Sequence, residues 1–171
     1  QPNDQLNVLM PLGNTFTLPT LSNPKILLIG GGVGAAPLLY WSSYLKNKGH
    51  DITVLLGARS KEHLLQVCEF EQFGNVLTTT EDGTDGEKGF VTDHSILKTT
   101  RFDAVYTCGP TPMMKAVGHW AASENVFCEV SLENTMACGI GACLCCVTDS
   151  IDGNICVCTE GPVFNITKLK W

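Results

Sequence analysis

Cys138, Cys143, Cys146 and Cys158 follow the spacing C-x4-C-x2-C-x11-C, and no other feature of the chain restricts its fold so tightly. Three of these thiols lie within residues 137–146, so one short loop must present them together while a later residue returns to complete the set. Cys138, Cys143 and Cys146 match the plant-type spacing that holds a [2Fe–2S] cluster. Gly139 and Gly141 suit such a loop, because a residue without Cβ can take positive φ and wrap closely around an inorganic core. Ala142 and the small or apolar residues after it are expected to keep water back from the cluster. Cys145 competes with Cys146, and Cys156 with Cys158; the C-x2-C step from Cys143 selects Cys146.

Two other chemistries use cysteines at this density. Zinc held by four cysteines generally takes two separated C-x2-4-C knuckles. Here one arm is C-x4-C-x2-C and the other is Cys156-Val157-Cys158, a poor fit. Disulfide frameworks belong to small secreted domains with an even cysteine count, whereas this chain has 9. Iron–sulfur ligation is the reading the spacing favours.

A hydrophobic content of 44% with 16% charged residues describes a packed globular protein. The net charge of −6 argues against partners such as nucleic acid or an anionic membrane surface. No apolar run approaches the roughly eighteen residues that cross a bilayer. The chain opens Gln1-Pro2-Asn3-Asp4, without an initiator methionine or a signal-peptide pattern. Reduced thiols and these absences point to a cytoplasmic protein, and the missing methionine to a piece of a longer polypeptide.

Residues 1–20 resemble the tail of a domain, with a single expected strand in Leu6-Asn7-Val8-Leu9-Met10. From Lys25 the pattern is regular. Lys25-Ile26-Leu27-Leu28-Ile29 is a continuous apolar run of the buried parallel-strand type, followed by Gly30-Gly31-Gly32-Val33-Gly34 and a helix with Pro37 in its first turn. Ile52-Thr53-Val54-Leu55-Leu56 gives a second buried strand, and Ser60 is expected to cap a helix over 61–73. Short strands are expected at 76–79, 102–107 and 126–131, a helical turn at 95–99, and a helix from Thr111 to about 123. Residues 81–90 look like a solvated loop. Alternation of this kind gives an α/β fold with a parallel sheet covered on both faces. Beyond the cysteine loop, 146–149 and 155–158 can pair around Asp152-Gly153-Asn154, which brings Cys158 back to the loop. Ile166 and Leu169 are expected to pack.

Gly30, Gly32 and Ala35 match G-x-G-x-x-A between a strand and a helix, where backbone N–H groups and the helix dipole favour a pyrophosphate. The acidic residue usual at the end of the second strand is absent; Arg59 and Ser60 stand there instead, which leaves the choice of NAD or NADP open. Cys108-Gly109-Pro110 ends another strand on the side where open α/β sheets bind ligands. Cys108 can touch a nicotinamide ring there or serve as a small apolar residue. Cys68 and Cys128 are expected to be buried, Met113 and Met114 to be core, and His50, His63, His94 and His119 to lie on the surface or in loops.

These motifs, in this order, resemble a known family. Gly30-Gly31-Gly32-Val33-Gly34-Ala35-Ala36-Pro37 and Tyr106-Thr107-Cys108-Gly109-Pro110 resemble the pyridine-nucleotide domain of the ferredoxin reductase superfamily. Residues 131–143, with Cys158-Thr159-Glu160-Gly161-Pro162-Val163-Phe164, resemble the electron-transfer subunits of type B dihydroorotate dehydrogenase. The resemblance implies a remnant of an FAD-binding β-barrel at 1–20, an NAD-binding α/β domain at 21–132 and a [2Fe–2S] module at 133–171. It implies that Cys138, Cys143, Cys146 and Cys158 ligate the cluster and that the glycine loop and the Cys108 segment hold NAD near a flavin. It further implies an FMN-containing dihydroorotate dehydrogenase catalytic subunit as partner in a heterotetramer. Electrons would pass from that FMN through the cluster and FAD to NAD+, in pyrimidine biosynthesis. Members begin with a barrel that binds FAD through an Arg-x-x-Ser-type motif, and only residues 6–16 here resemble its end, so FAD is expected only with the missing barrel. The alternatives are a related subunit working between NAD(P)H and ferredoxin or sulfur compounds, and a zinc-stabilised interaction module.

Overall fold

The computed structural model describes residues 3–171, so the first two residues of the expected barrel remnant at 1–20 lie outside the described residues. The apolar run predicted as the first strand is β1, Ile26–Gly31, every residue of which is buried. A strand buried on both faces needs cover from both sides, and the chain supplies it by alternation. Leu27 and Ile29 enter one core with Met114, Val117 and Val130; Ile26 and Leu28 enter the other with Leu38, Trp41 and Tyr106.

The elements follow in order: α1 (Ala35–Asn47), β2 (Ile52–Ala58), α2 (Val67–Phe70), β3 (Asn75–Thr80), β4 (Glu87–Lys88), α3 (Ile96–Thr99), β5 (Ala104–Cys108), α4 (Thr111–Ser123) and β6 (Phe127–Ser131). Then come β7 (Val147–Ser150), β8 (Gly153–Cys156), α5 (Val157–Glu160) and β9 (Val163–Asn165). The main sheet has the order β4-β3-β2-β1-β5-β6-β9, parallel except for the last strand, and β7-β8 is a separate hairpin. The chain leaves β1 towards β2 and later returns to β5 on the other side. The carboxyl ends of β1 and β5 therefore flank a topological switch point, the crevice where open α/β sheets take ligands. Register places Gly30 opposite Cys108, and Cys108 opposite Ser131, so the glycine loop, the Cys108 segment and the entry to the cysteine loop stand level with one another.

Several local expectations change. Residues 6–10 form no strand; Leu6, Val8, Leu9 and Met10 lie exposed. The segment is moored further on, where the Thr17 amide and hydroxyl donate to the buried Glu129 carboxylate at 2.8 Å each and Tyr106 Oη donates to the Thr17 carbonyl at 2.6 Å. Phe16 completes the anchor against the rings of Trp41 and Tyr106. The helix expected over 61–73 is broken into a 3-10 turn at Lys61–His63 and the short α2. Leu64 is extended and Gln66 is left-handed (φ 58°), while the Ser60 hydroxyl is hydrogen-bonded to His63 Nδ1 instead of capping. Thr111 begins α4 but Pro110 occupies its N-cap. Cys68 is exposed and His94 is buried, where its Nδ1 accepts from the Ile96 amide.

The loop 81–90 is less solvated than its composition suggests. It contributes β4, and Thr78 and Thr80 bond to Asp85, while the Ser95 amide and hydroxyl bond to Glu87. The β7-β8 hairpin turns through Ile151-Asp152, one residue earlier than predicted. Leu169 is buried and Ile166 packs on the same core, as expected. No helix among the described residues is long and apolar enough to cross a membrane.

Candidate functional site

Two loops meet at the crevice. Gly34 comes so close to the Cys108 segment that a Cβ would lie 2.5 Å from the Cys108 carbonyl and from Gly109 Cα. Gly31 is as tightly placed, 2.5 Å from Met113 Sδ by the same measure. Gly32 takes φ +54° and faces open space, so its main chain is presented to whatever enters. Above this contact lies a cleft of 210 Å³ lined by Gly31–Gly34, Gly109, Pro110, Thr111, Met114 and Glu133. A larger cavity of 640 Å³ opens beside it over the ends of β2 and β3, with Arg59, His63, Glu81, Phe90 and Met113 among its walls. Main chain presented without Cβ at the head of a helix is the arrangement that accepts a pyrophosphate, so the residues present fit a dinucleotide.

Of the residues predicted from sequence, Gly31, Gly32, Val33, Gly34, Gly109 and Pro110 line the cleft and Arg59 the larger cavity. Gly30 and Cys108 are buried beneath them, and Ser60 acts through His63. Burial pushes the Cys108 thiol up, against a lowering hydrogen bond with Ser131. It is a neutral thiol at the floor of the crevice. Glu81, Phe90 and Glu133 escaped the sequence reading. Glu81 had a legible signal, since it directly follows a strand on the ligand-binding side of the sheet.

The cysteine loop leaves β6 and is fixed by left-handed backbone at Gly139, Gly141 and Leu144 (φ 69°, 77° and 60°). These turns aim amides at sulfur. Ile140 and Cys143 donate to Cys138 Sγ at 3.5 and 3.4 Å, Gly141 to Cys158 Sγ at 3.2 Å, and Cys158 to Cys146 Sγ at 3.3 Å. The donors hold Cys138 down at about 6 and lower Cys146 as well, which favours thiolates, the metal-binding form. Cys158 lies not on β8 but one turn on, in α5, and contact with Cys146 sulfur raises its thiol against the Gly141 donor.

Among the described residues no three His, Cys, Asp or Glu side chains converge on one point. The thiols fall in two neighbourhoods, Cys143 interacting with Cys138 and Cys145, and Cys146 with Cys158 and Cys156. Soft thiolates in such a donor set could hold an iron–sulfur core. The competing cysteines differ in environment. Contact with Cys143 raises Cys145; burial raises Cys156, whose Sγ donates to the Gly141 carbonyl at 3.7 Å. Ala142 does not shield the loop, for it is exposed, and Ile140 and Leu144 are 67% and 64% exposed; apolar cover comes from Leu9 and Leu12, which close over Gly139.

The family model described as oxidoreductase NAD-binding domain matches residues 28–119, and that described as iron–sulfur cluster binding domain of dihydroorotate dehydrogenase B matches residues 133–170. The chain therefore belongs to the NAD-binding oxidoreductases of ferredoxin-reductase-like fold that carry this iron–sulfur domain. More particularly, it is 44% identical over 150 residues to the "probable dihydroorotate dehydrogenase B (NAD(+)), electron transfer subunit" of Methanocaldococcus jannaschii, covering 86% of this chain and 57% of the relative. It is 40% identical over 168 residues to the dihydroorotate dehydrogenase B (NAD(+)) electron transfer subunit of Geobacillus sp. (strain WCH70), covering 96% of this chain and 65% of the relative. The chain thus spans about three fifths of the length of these relatives. A solved structure described as an NADH-dependent reduced ferredoxin-NADP oxidoreductase superposes with a TM-score of 0.83 at 37% identity, covering 97% of this chain and 60% of the other.

Proposed function

We propose that the chain is the nucleotide- and cluster-binding part of a dihydroorotate dehydrogenase B electron transfer subunit, which carries electrons from a dihydroorotate-oxidising FMN subunit to NAD+ in pyrimidine biosynthesis. Residues 21–132 form its NAD-binding domain, 133–171 its [2Fe–2S] module and 1–20 the end of an FAD-binding barrel. The observation that carries the reading is the set of amide donors aimed at Cys138, Cys146 and Cys158, on a loop that begins beside a glycine-lined dinucleotide cleft. Cys138, Cys143, Cys146 and Cys158 are the cluster ligands. Amides from Ile140, Cys143, Gly141 and Cys158 stabilise sulfur charge and thereby tune the potential.

When bound, the cluster supplies single-electron transfer, and FAD, which accompanies the barrel, divides a hydride's electron pair. Main-chain N–H groups of Gly31–Gly34 would donate to the pyrophosphate oxygens, and Gly109 and Pro110 would wall the nicotinamide end above the neutral Cys108 thiol. The partner is an FMN-containing catalytic subunit in a heterotetramer, and the complex works in the cytoplasm. The exposed apolar residues Ile140 and Leu144 lie in the ligand loop itself, where a partner must approach for electrons to pass.

A second reading, electron exchange between NAD(P)H and ferredoxin, is favoured by the 0.83 TM-score to the ferredoxin-NADP oxidoreductase. Anaerobic mixing with an FMN-containing dihydroorotate dehydrogenase decides between them. Reduction of the chain's visible chromophore on adding dihydroorotate supports the first reading. Reduction by reduced ferredoxin alone, with no response to the FMN subunit, replaces it with the second.

A further inference from the structure

We propose that Glu81 selects the unphosphorylated adenosine ribose, making this nucleotide site specific for NAD(H) over NADP(H); the inference rests on the dinucleotide reading above. In NAD-binding doubly wound folds a carboxylate near the end of the second strand accepts from the ribose 2′-OH. Here β2 ends at Ala58 and is followed by the cation Arg59. The required acid comes instead from the neighbouring strand. Ala58 lies opposite Thr80 in the parallel ladder, and the pairing continues past both strand ends: the Glu81 amide donates to the Ala58 carbonyl at 3.1 Å and the Asp82 amide to the Arg59 carbonyl at 3.2 Å. Glu81 and Arg59 are thereby held on the same 640 Å³ cavity, next to Gly31 and Gly32.

The surrounding charges are already occupied. Asp82 accepts from Thr84, and Asp85 accepts from Thr78 and pairs with Lys61 at 3.4 Å. Lys61 is thus drawn away from the cavity. The Glu81 carboxylate has no hydrogen bond or ion pair among the described residues, so its oxygens are free to accept from a vicinal diol. Phe90 and Met113 offer the adenine ring an apolar wall in the same cavity. A 2′-phosphate would bring up to about two further negative charges against that carboxylate, with the Arg59 guanidinium on the same wall to offset them only in part.

The test is a titration of NADH and of NADPH into the purified chain, its Glu81→Gln variant and its Arg59→Ala variant, read by nucleotide fluorescence. The wild type is expected to bind NADH at least about tenfold tighter than NADPH. Glu81→Gln should weaken NADH by about tenfold or more, as loss of a charge-assisted bond implies, and leave NADPH unchanged or tighter. Arg59→Ala should weaken both alike. A preference unchanged by Glu81→Gln, a wild type that prefers NADPH, or an Arg59→Ala variant that loses NADPH binding while keeping NADH binding overturns the selector while leaving the nucleotide site in place. A wild type that binds neither nucleotide overturns both. NADPH binding by Glu81→Gln is the internal control for folding, and the exposed side chain makes that variant mild.

Discussion

Gly34→Ala isolates the contact on which the crevice depends. Gly34 has φ −64° and ψ −10°, a conformation open to any residue, so alanine there costs nothing in backbone strain. The cost is packing. The new methyl would lie 2.5 Å from the Cys108 carbonyl carbon and oxygen and from Gly109 Cα, all of them main chain, which cannot rotate away. Overpacking of this kind costs about 2–3 kcal/mol, which lowers the Tm of a chain this size by about 4–12 °C. Gly32 supplies the contrast, with φ +54° and nothing within 4 Å of the position a Cβ would take. Gly32→Ala should cost about 1 kcal/mol from the left-handed backbone alone, and Gly32→Asn less, since asparagine tolerates that region. Thermal unfolding of the three variants, with an NADH titration of each, measures both effects. Gly34→Ala should also weaken NADH, because the two loops that line the cleft are forced apart. A Gly34→Ala protein that melts like the wild type, or a Gly32→Ala that costs more, would refute the packing explanation.

Three further outcomes follow from particular contacts. Cys143→Ser should abolish the visible absorption of the cluster whereas Cys145→Ser retains it; an unchanged spectrum in Cys143→Ser removes that residue from the ligand set. Thr17→Val deprives the buried Glu129 carboxylate of its hydroxyl donor and should cost about 1–3 kcal/mol in denaturant unfolding, with faster proteolysis before residue 17; equal proteolysis would mean that the aromatic contacts of Phe16 suffice. Hydrogen bonds from Ser95 to Glu87, from Thr78 to Asp85 and from Thr84 to Asp82 hold all three carboxyls below their ordinary values of 4.5, 3.8 and 3.8. Their stabilisation is complete above those values and is lost as pH falls through and below them, so acid unfolding should be shallower in Ser95→Ala and Thr78→Val; an unchanged pH slope contradicts this.

The features legible in the sequence were those with local causes. The apolar run at 26–29 has the pattern of a doubly buried strand and forms one, and the glycine and cysteine spacings carry their own geometry. What escaped was set by tertiary contact. Ser60 had the composition of a helix cap, but His63 took its hydroxyl and Gln66 turned left-handed, so the helix over 61–73 did not form. The alternation of 155–158 suggests a strand at Cys158, whereas the residue lies in a helical turn with its backbone N–H donating to Cys146 Sγ. The place of Glu81 directly after a strand is legible, but its standing level with Arg59 is not, since only the ladder between β2 and β3 brings the two together. His94 is buried by the packing of α3 and β4 around it, which no nearby residue pattern announces.

Whether the four cysteines hold an iron–sulfur cluster is decided most directly by a visible spectrum of anaerobically purified protein, with iron, acid-labile sulfide, zinc and flavin assayed on the same sample. Cluster ligation predicts a brown protein with about two iron and two sulfide ions per chain, bleached by dithionite. A colourless protein that holds zinc and no sulfide would contradict it.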